Sequence, residues 1–370
     1  MIRIIVAVLL TLYVFPYSLF FYDYPFQIFQ IYLVCLFFTL GLAYANFQSR
    51  SLYYINYSDR FTVKPELFYL FFFIFLIAKA SVILDVSSSL ISGEFAQYAY
   101  NKAIDRYENL EEAGQTPLER IGAIIFLMSG SLCASIHKKK FLAHCFLFFM
   151  ILVSSVELAR TGVLFVFATY FIEFIIRNNK SLQLSSNLRL FKIGIQILFA
   201  LLLIYLFSAY FRISSSSNDV MGIILLKLLV YTFGMYEAVL MWMSSNSESY
   251  FSSYGTKTFA GIYKILGLSF EQGFYTPIDT RFGTTNIYTN MRGFFSDFGI
   301  IGTSLIFFIL GYVLSWYSKN NMSFFSYLIV RLFLLMLVFM IYSPMIFFNT
   351  FVAFILSGIL IAGLKITYKK

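Results

Sequence analysis

The sequence has few charged residues and almost no histidine. Only 12% of its 370 residues are Asp, Glu, Lys or Arg, and histidine occurs twice, at His137 and His144. It contains no HExxH pattern, no Walker loop, no Gly-rich dinucleotide turn and no clustered Cys and His residues. These absences argue against a zinc protease, a P-loop NTPase, a dinucleotide-dependent enzyme and a Cys/His metal site. We therefore predict that the protein holds neither a metal ion nor a nucleotide cofactor.

Cysteine is also scarce. Cys35, Cys133 and Cys145 all lie in apolar runs, and none is placed to join external loops. We therefore expect buried small hydrophobic residues and not disulfide or thiol chemistry.

Hydrophobic residues make up 60% of the chain, and its mean hydropathy is +0.79. A water-soluble domain could not bury so much apolar surface, so we predict an all-α polytopic membrane protein, with residues 1–370 forming a single integral membrane domain. A spanning helix needs about 20 mostly apolar residues. Ten stretches qualify: 3–22, 26–46, 67–86, 119–136, 141–157, 160–176, 190–211, 298–317, 324–342 and 345–364.

The positions of the basic residues predict the orientation. Lys and Arg collect in alternate short loops, and most acids collect on the opposite side, so both termini are expected inside the cell. The net charge of +9 is therefore an orientation signal and does not indicate binding to nucleic acid. In a bacterium the opposite face is the periplasm.

Two larger segments are predicted on the periplasmic face. Residues 87–118 are acidic, and residues 212–297 are polar, aromatic and Gly-rich. Within the second, residues 222–243 are apolar enough to span the membrane, but a span there would reverse the charge pattern. Lys227, Gly234 and Glu237 also interrupt it, so we interpret 222–243 as a helix that lies in the interface or dips into it.

Arginines at the predicted outer face are the main candidates for a site. Arg160 begins the sixth predicted span, and Arg281 and Arg292 flank the sequence GTTNIYTN. A guanidinium group offers a planar fork that binds phosphate at any pH. The structural alternatives are that Arg160 pairs with Glu157, and that Arg281 and Arg292 are solvated or pair with Asp279 and Asp297.

Several further residues are candidates for the same site. Asn286, Tyr288 and Asn290 are of types that hydrogen-bond to sugars or stack on them. Arg212 ends the seventh predicted span and is either a substrate contact or an interface anchor, whereas Arg331 falls inside the ninth. Asp297 is either a proton acceptor or the N-cap of the eighth helix. Spacing alone does not single out a general base.

The stretch from about Tyr254 to Gly311, with TKTFAGIY and then TNIYT before DFG, resembles the O-antigen polymerases of the Wzy type. The piece ELARTG around Arg160 is a weaker match, and the predicted topology extends the resemblance over most of the chain. The resemblance implies a GT-C-like membrane glycosyltransferase of the bacterial inner membrane. Such an enzyme polymerises undecaprenyl-diphosphate-linked oligosaccharide repeat units on the periplasmic face, without a cofactor or an obligatory metal.

Roles and partners follow from the same resemblance. It implies that the outer arginines are functional, with Arg160, Arg281 and Arg292 as catalytic residues and Arg212 and Arg331, which match more loosely, as substrate contacts. The residue types, and not the resemblance, make Asp297 a catalytic candidate and Asn286, Tyr288 and Asn290 candidates for substrate binding. A flippase and a chain-length regulator are the implied protein partners. The product would be O-antigen or a related surface polysaccharide.

Three alternatives remain open. An O-antigen ligase typically has a histidine in its large periplasmic segment, and this sequence has none there. A flippase for lipid-linked oligosaccharides is expected to have more spans, charges along a central cavity and no dominant outer segment. A membrane scaffold protein would leave the set of outer arginines unexplained.

Overall fold

In the computed structural model, most of the described residues are helical. The described residues are 14–48, 63–94, 97–98, 101, 116–136, 140–156, 160–178, 220–245, 255–259, 262–263, 266–268, 277–285, 289, 291–319, 324–338 and 348–363. The helices are α1 (Phe15–Phe20), α2 (Pro25–Gln48), α3 (Pro65–Ala78), α4 (Ala80–Ser92), α5 (Pro117–Ala134), α6 (Lys140–Val156), α7 (Arg160–Asn178), α8 (Val220–Leu229), α9 (Met235–Ser245), α10 (Met291–Lys319), α11 (Phe324–Val338) and α12 (Phe348–Gly363).

Three of these helices are long and apolar enough to cross a membrane, over Pro25–Ala45, Pro117–Ala134 and Met291–Trp316. Shorter apolar helices cover Phe141–Ser155, Gly162–Phe174 and Asn349–Ala362. The protein is therefore a mostly helical membrane protein, as its composition predicts. The predicted span 190–211 and residues 3–13 of the first one lie outside the described residues.

The predicted span 67–86 is not one straight helix. It is divided between α3 and α4, which meet at an angle of 67° with Lys79 at the joint. Lys79 has non-helical dihedral angles and is almost fully buried, and its methylene groups face Gly122 of α5. The hydropathy pattern could not reveal this break because the two halves together are apolar enough to read as one span.

The contacts divide the chain into two compact units, and each is described by itself. The first comprises Met1–Tyr57 and Leu225–Phe351, and the second comprises Ser58–Ile224 and Val352–Lys370. In the first unit, α2 and α10 cross with their backbones in contact: a Cβ on Gly41 would overlap the carbonyl oxygen of Phe308, and a Cβ on Gly311 would overlap that of Phe38. Small residues permit such an approach between membrane helices.

In the second unit, α5 packs against α7 by the same device. A Cβ added at Gly130 would overlap the carbonyl oxygen of Val166, and it would also crowd the hydroxyl group of Thr169. The N-terminus of α5 is closed by a capping box, in which Thr116 and Glu119 each accept a hydrogen bond from the backbone N–H group of the other.

Helix α10 begins earlier than expected and is broken. Residues 291–297 were predicted to belong to the polar outer segment, but they are helical, because Met291, Phe294 and Phe295 are apolar and fully buried. Gly299 interrupts the helix with φ 62° and ψ −172°, a conformation that favours glycine. The predicted span 298–317 corresponds to the longer half after this break.

Candidate functional site

A small β-hairpin carries Arg281 at its tip. Strand β1 (Ile278–Thr280) pairs antiparallel with β2 (Gly283–Thr285), and Arg281 and Phe282 form the two-residue turn between them. The Thr280 hydroxyl group closes the turn, since it donates to the carbonyl oxygen of Gly283 at 2.7 Å and accepts from the N–H group of Phe282 at 3.3 Å. The guanidinium group is thus presented by a hydrogen-bonded turn.

The hairpin packs against a π-helical turn at Val230–Gly234, between α8 and α9. Gly283 has φ 121° and lies against Val230, so a Cβ there would come within 3.1 Å of the valine methyl group. The ring of Phe282 packs against Phe233 at 5.7 Å and against Phe21 at 6.3 Å between centroids. Within the first unit, the hairpin is therefore held by aromatic packing and by close contact at Gly283, where a side chain would not fit.

Two carboxylate groups bind Arg281. The Nε–H group donates to Glu237 Oε1 at 2.6 Å, and the backbone N–H group of Arg281 donates to Glu237 Oε2 at 2.9 Å. Nη1 lies 3.1 Å from Asp23 Oδ2, and the guanidinium carbon lies 5.7 Å from the ring centroid of Phe21. The ion pairs predicted from sequence were with nearby aspartates, but Arg281 instead pairs with acids distant in the chain.

The environments of the two carboxylates differ. The side chain of Glu237 is 2% exposed, whereas those of Asp23 and Arg281 are 52% and 45% exposed. The hydrogen bond that the Arg281 side chain donates to Glu237 raises the pKa of Arg281, so the guanidinium group remains charged. Burial, followed by the charge of Glu237, raises the pKa of the nearby Tyr24 hydroxyl group, which therefore remains protonated.

Arg292, on α10, contacts the helix that carries Glu237, which is α9. Its side chain is 8% exposed, and its guanidinium carbon lies 5.2 Å from the ring centroid of Trp242. Trp242 follows Glu237 by five positions on α9, so the two arginines contact this helix at levels about 7–8 Å apart along its axis. Helix α9 therefore brings two of the predicted site residues, Arg281 and Arg292, onto one scaffold.

Asp297 holds a turn of the polar segment. Its carboxylate accepts hydrogen bonds from the backbone N–H groups of Thr258 at 2.6 Å and Lys257 at 3.3 Å, and it is 1% exposed. The Nζ group of Lys257 donates to the Ser296 hydroxyl group at 3.0 Å. The residue with non-helical angles at the break is Gly299, so the N-cap position of the following helix belongs to Gly299 and not to Asp297.

The remaining predicted site residues are placed as follows. Arg160 is the first residue of α7, in the second unit. Arg331 lies on α11 in the first unit and is completely buried, as is Tyr327 one helical turn earlier. Arg212, Asn286, Tyr288 and Asn290 lie outside the described residues.

Glu237, Asp23 and Trp242 are the partners that sequence reasoning missed. Glu237 did carry a signal, because an acid within an apolar stretch calls for a partner. Nothing in the spacing of Asp23 or Trp242 identifies their partners. Among the described residues, no group of three or more His, Cys, Asp or Glu side chains is arranged to hold a metal ion.

The chain matches no protein-family model, no curated protein and no solved structure. The assignment of a function therefore depends on the residues and their geometry.

Proposed function

We propose that this protein is a membrane glycosyltransferase that polymerises undecaprenyl-diphosphate-linked oligosaccharide repeat units. In this proposal it has about ten spans in a GT-C-like arrangement, lies in the bacterial inner membrane and presents the polar segment 212–297 to the periplasm. The observation that carries the proposal is the half-exposed guanidinium group of Arg281, held at the tip of a hairpin in a mostly helical membrane protein. Arginine binds phosphate oxygens with a fixed planar geometry.

The chemistry makes modest demands on the protein. The donor sugar is bonded to a diphosphate, which is already a good leaving group. A hydroxyl oxygen of the incoming repeat unit forms a bond to the anomeric carbon, while the bond from that carbon to the diphosphate oxygen breaks and its electron pair leaves with the diphosphate. The proton of the attacking hydroxyl group passes to a diphosphate oxygen. The protein then has to stabilise the charge on the leaving group and align one hydroxyl group.

We assign the first of these tasks to Arg281 and Arg292, with Arg160 as a third candidate. Asp297 is a less suitable proton acceptor than its sequence position suggests, because it is buried and already accepts two backbone hydrogen bonds. In this proposal its function is to hold the turn that contains Lys257 and Thr258. The aromatic side chains near the hairpin supply apolar surface for the lipid-linked substrate.

Gel analysis of lipopolysaccharide tests the proposal. Deleting the gene should leave lipopolysaccharide that carries a single repeat unit, whereas loss of a ligase or a flippase should leave the bare core. Arg281→Ala and Arg160→Ala, expressed at the wild-type level, should reproduce the single-unit pattern. Polymer of normal length in the deletion strain would rule out the polymerase function.

A further inference from the structure

The two carboxylates that bind Arg281 are unequal in a way that suggests different roles. Glu237 is buried and uses both of its oxygens on Arg281, one on the backbone N–H group and one on Nε–H. Asp23 is half exposed and contacts the guanidinium group only at Nη1 among the described atoms. The Nη2 group makes no hydrogen bond with any other described residue.

The two hydrogen bonds that Arg281 donates to Glu237 constrain the direction of the guanidinium group. One bond fixes the backbone at the tip of the hairpin, and the other fixes the Nε edge of the side chain. The two Nη groups are on the edge of the guanidinium group that Glu237 does not contact. A planar group with two donors on its outer side is suited to binding a phosphate group through two oxygens.

The charges argue that Asp23 does not remain in place when an anion binds. With Asp23 and Glu237 both ionised, the cluster has a net charge of −1, which would repel a diphosphate. An oxygen of Asp23 lies 3.1 Å from Nη1, a distance at which a phosphate oxygen would accept the same hydrogen bond. Asp23 thus occupies a position suited to an anionic ligand.

We infer that Glu237 is a positioning residue for Arg281, and that Asp23 holds the place of a diphosphate oxygen until a lipid diphosphate displaces it. This inference rests on the proposed function for the class of ligand. Exposed ion pairs are weak and exchange readily, whereas breaking a buried pair leaves an uncompensated charge. Exchange of Asp23 is therefore the low-cost step, and Glu237 stays bound throughout.

The test measures binding of geranylgeranyl diphosphate to the purified full-length protein in nanodiscs, with geranylgeraniol as the uncharged reference. Asp23→Asn removes the competing charge at an exposed position, and we expect it to lower the Kd for the diphosphate about five-fold. Asp279→Asn is the matched control. Asp279 is also an exposed acid near the tip of the hairpin, but it accepts a hydrogen bond from Thr284. We expect it to leave the Kd unchanged.

The role of Glu237 is tested by Glu237→Gln, alone and combined with Asp23→Asn. The single variant should raise the Kd about ten-fold or more, because Arg281 loses its charged anchor. In the double variant the gain from Asp23→Asn should disappear, since an arginine that is no longer directed does not benefit from removal of its competitor. A purely structural role of Glu237 would leave the five-fold gain intact.

Three outcomes would overturn the inference. The first is that Asp23→Asn has the same Kd as the wild type. The second is that Asp279→Asn lowers the Kd as much as Asp23→Asn does. The third is that the wild type binds the diphosphate no more tightly than it binds geranylgeraniol. The gel assay separates this inference from the proposed function. Tighter binding by Asp23→Asn together with normal polymer in the deletion strain would support the exchange and refute the polymerase function. An unchanged Kd together with single-unit lipopolysaccharide in the deletion strain would refute the exchange and support the polymerase function.

Discussion

Gly41 of α2 and Gly311 of α10 lie at one helix crossing, each against the backbone of the opposite helix. A Cβ on Gly41 would overlap the Phe308 carbonyl oxygen, and a Cβ on Gly311 would overlap that of Phe38. We predict that Gly41→Ala and Gly311→Ala each lower the free energy of unfolding by about 1–3 kcal/mol, as overpacking of a close interface does. The thermal unfolding midpoint of the detergent-solubilised protein is the measurement.

Leu40→Ala is the control for this prediction. Leu40 precedes Gly41 on the same helix, but its side chain is 48% exposed. It should leave the midpoint nearly unchanged. Equal midpoints for wild type and both glycine variants would show that α2 and α10 are not in backbone contact.

The pair of Arg292 and Trp242 leads to a second prediction. The guanidinium carbon lies 5.2 Å from the ring centroid, and the arginine is largely buried. We expect a double-mutant cycle of Arg292→Met and Trp242→Leu to give a coupling energy of about 0.5–2 kcal/mol in unfolding experiments. Trp242→Phe should retain part of the coupling because it keeps an aromatic face. Additive effects in the cycle would show that the two side chains do not interact.

A third prediction concerns Asp297 and the turn at residues 255–259. Asp297→Ala leaves the backbone N–H groups of Lys257 and Thr258 without their acceptor, and Thr258 is buried, so the turn should lose about 1–3 kcal/mol of stability. Amide hydrogen exchange of residues 257 and 258 should become faster. Asp297→Asn, which keeps one acceptor oxygen, should have a smaller effect.

Ser296→Ala serves as the control for this experiment. It removes only the hydroxyl acceptor of the Lys257 ammonium group and leaves the backbone bonds in place. Exchange at residue 258 that is as slow in Asp297→Ala as in the wild type would contradict the assigned role of Asp297.

How much of the molecule could be predicted from sequence depends on the range of the interactions. Hydropathy is a local property, so it located the long helices at Pro25–Ala45 and Pro117–Ala134 within a few residues. The break at Lys79 was missed because a single charged residue does not prevent an apolar run of about 20 residues from being predicted as one span. The angle there is set by packing, which includes contact with Gly122 of α5.

The site could be predicted only in part, for the same reason. Arg281 and Arg292 stand out in the sequence because they flank the polar sequence GTTNIYTN on the predicted outer face. Their partners do not stand out: Glu237 is 44 positions from Arg281, and Asp23 lies in a different loop. Neither contact follows from a periodicity or a motif. The packing of the hairpin against α9 brings Arg281 to Glu237, and its packing against Phe21 brings Arg281 close to Asp23.

The final prediction is that the polar segment 212–297 faces the outside of the inner membrane. Leu266 is 64% exposed, so Leu266→Cys should react with a membrane-impermeant maleimide added to cells with a permeabilised outer membrane. Cys35 and Cys133 are buried as the sequence predicts, but Cys145 is exposed, contrary to that prediction, so Cys145→Ser is needed to remove its background. Lys138→Cys, in the predicted inner loop, should react only after the inner membrane is opened.

The opposite pattern, with residue 138 labelled and residue 266 protected while the inner membrane is intact, would place the Arg281 hairpin in the cytoplasm. A periplasmic polymerase could not then use it, because the arginine would be separated from the lipid diphosphate by the bilayer.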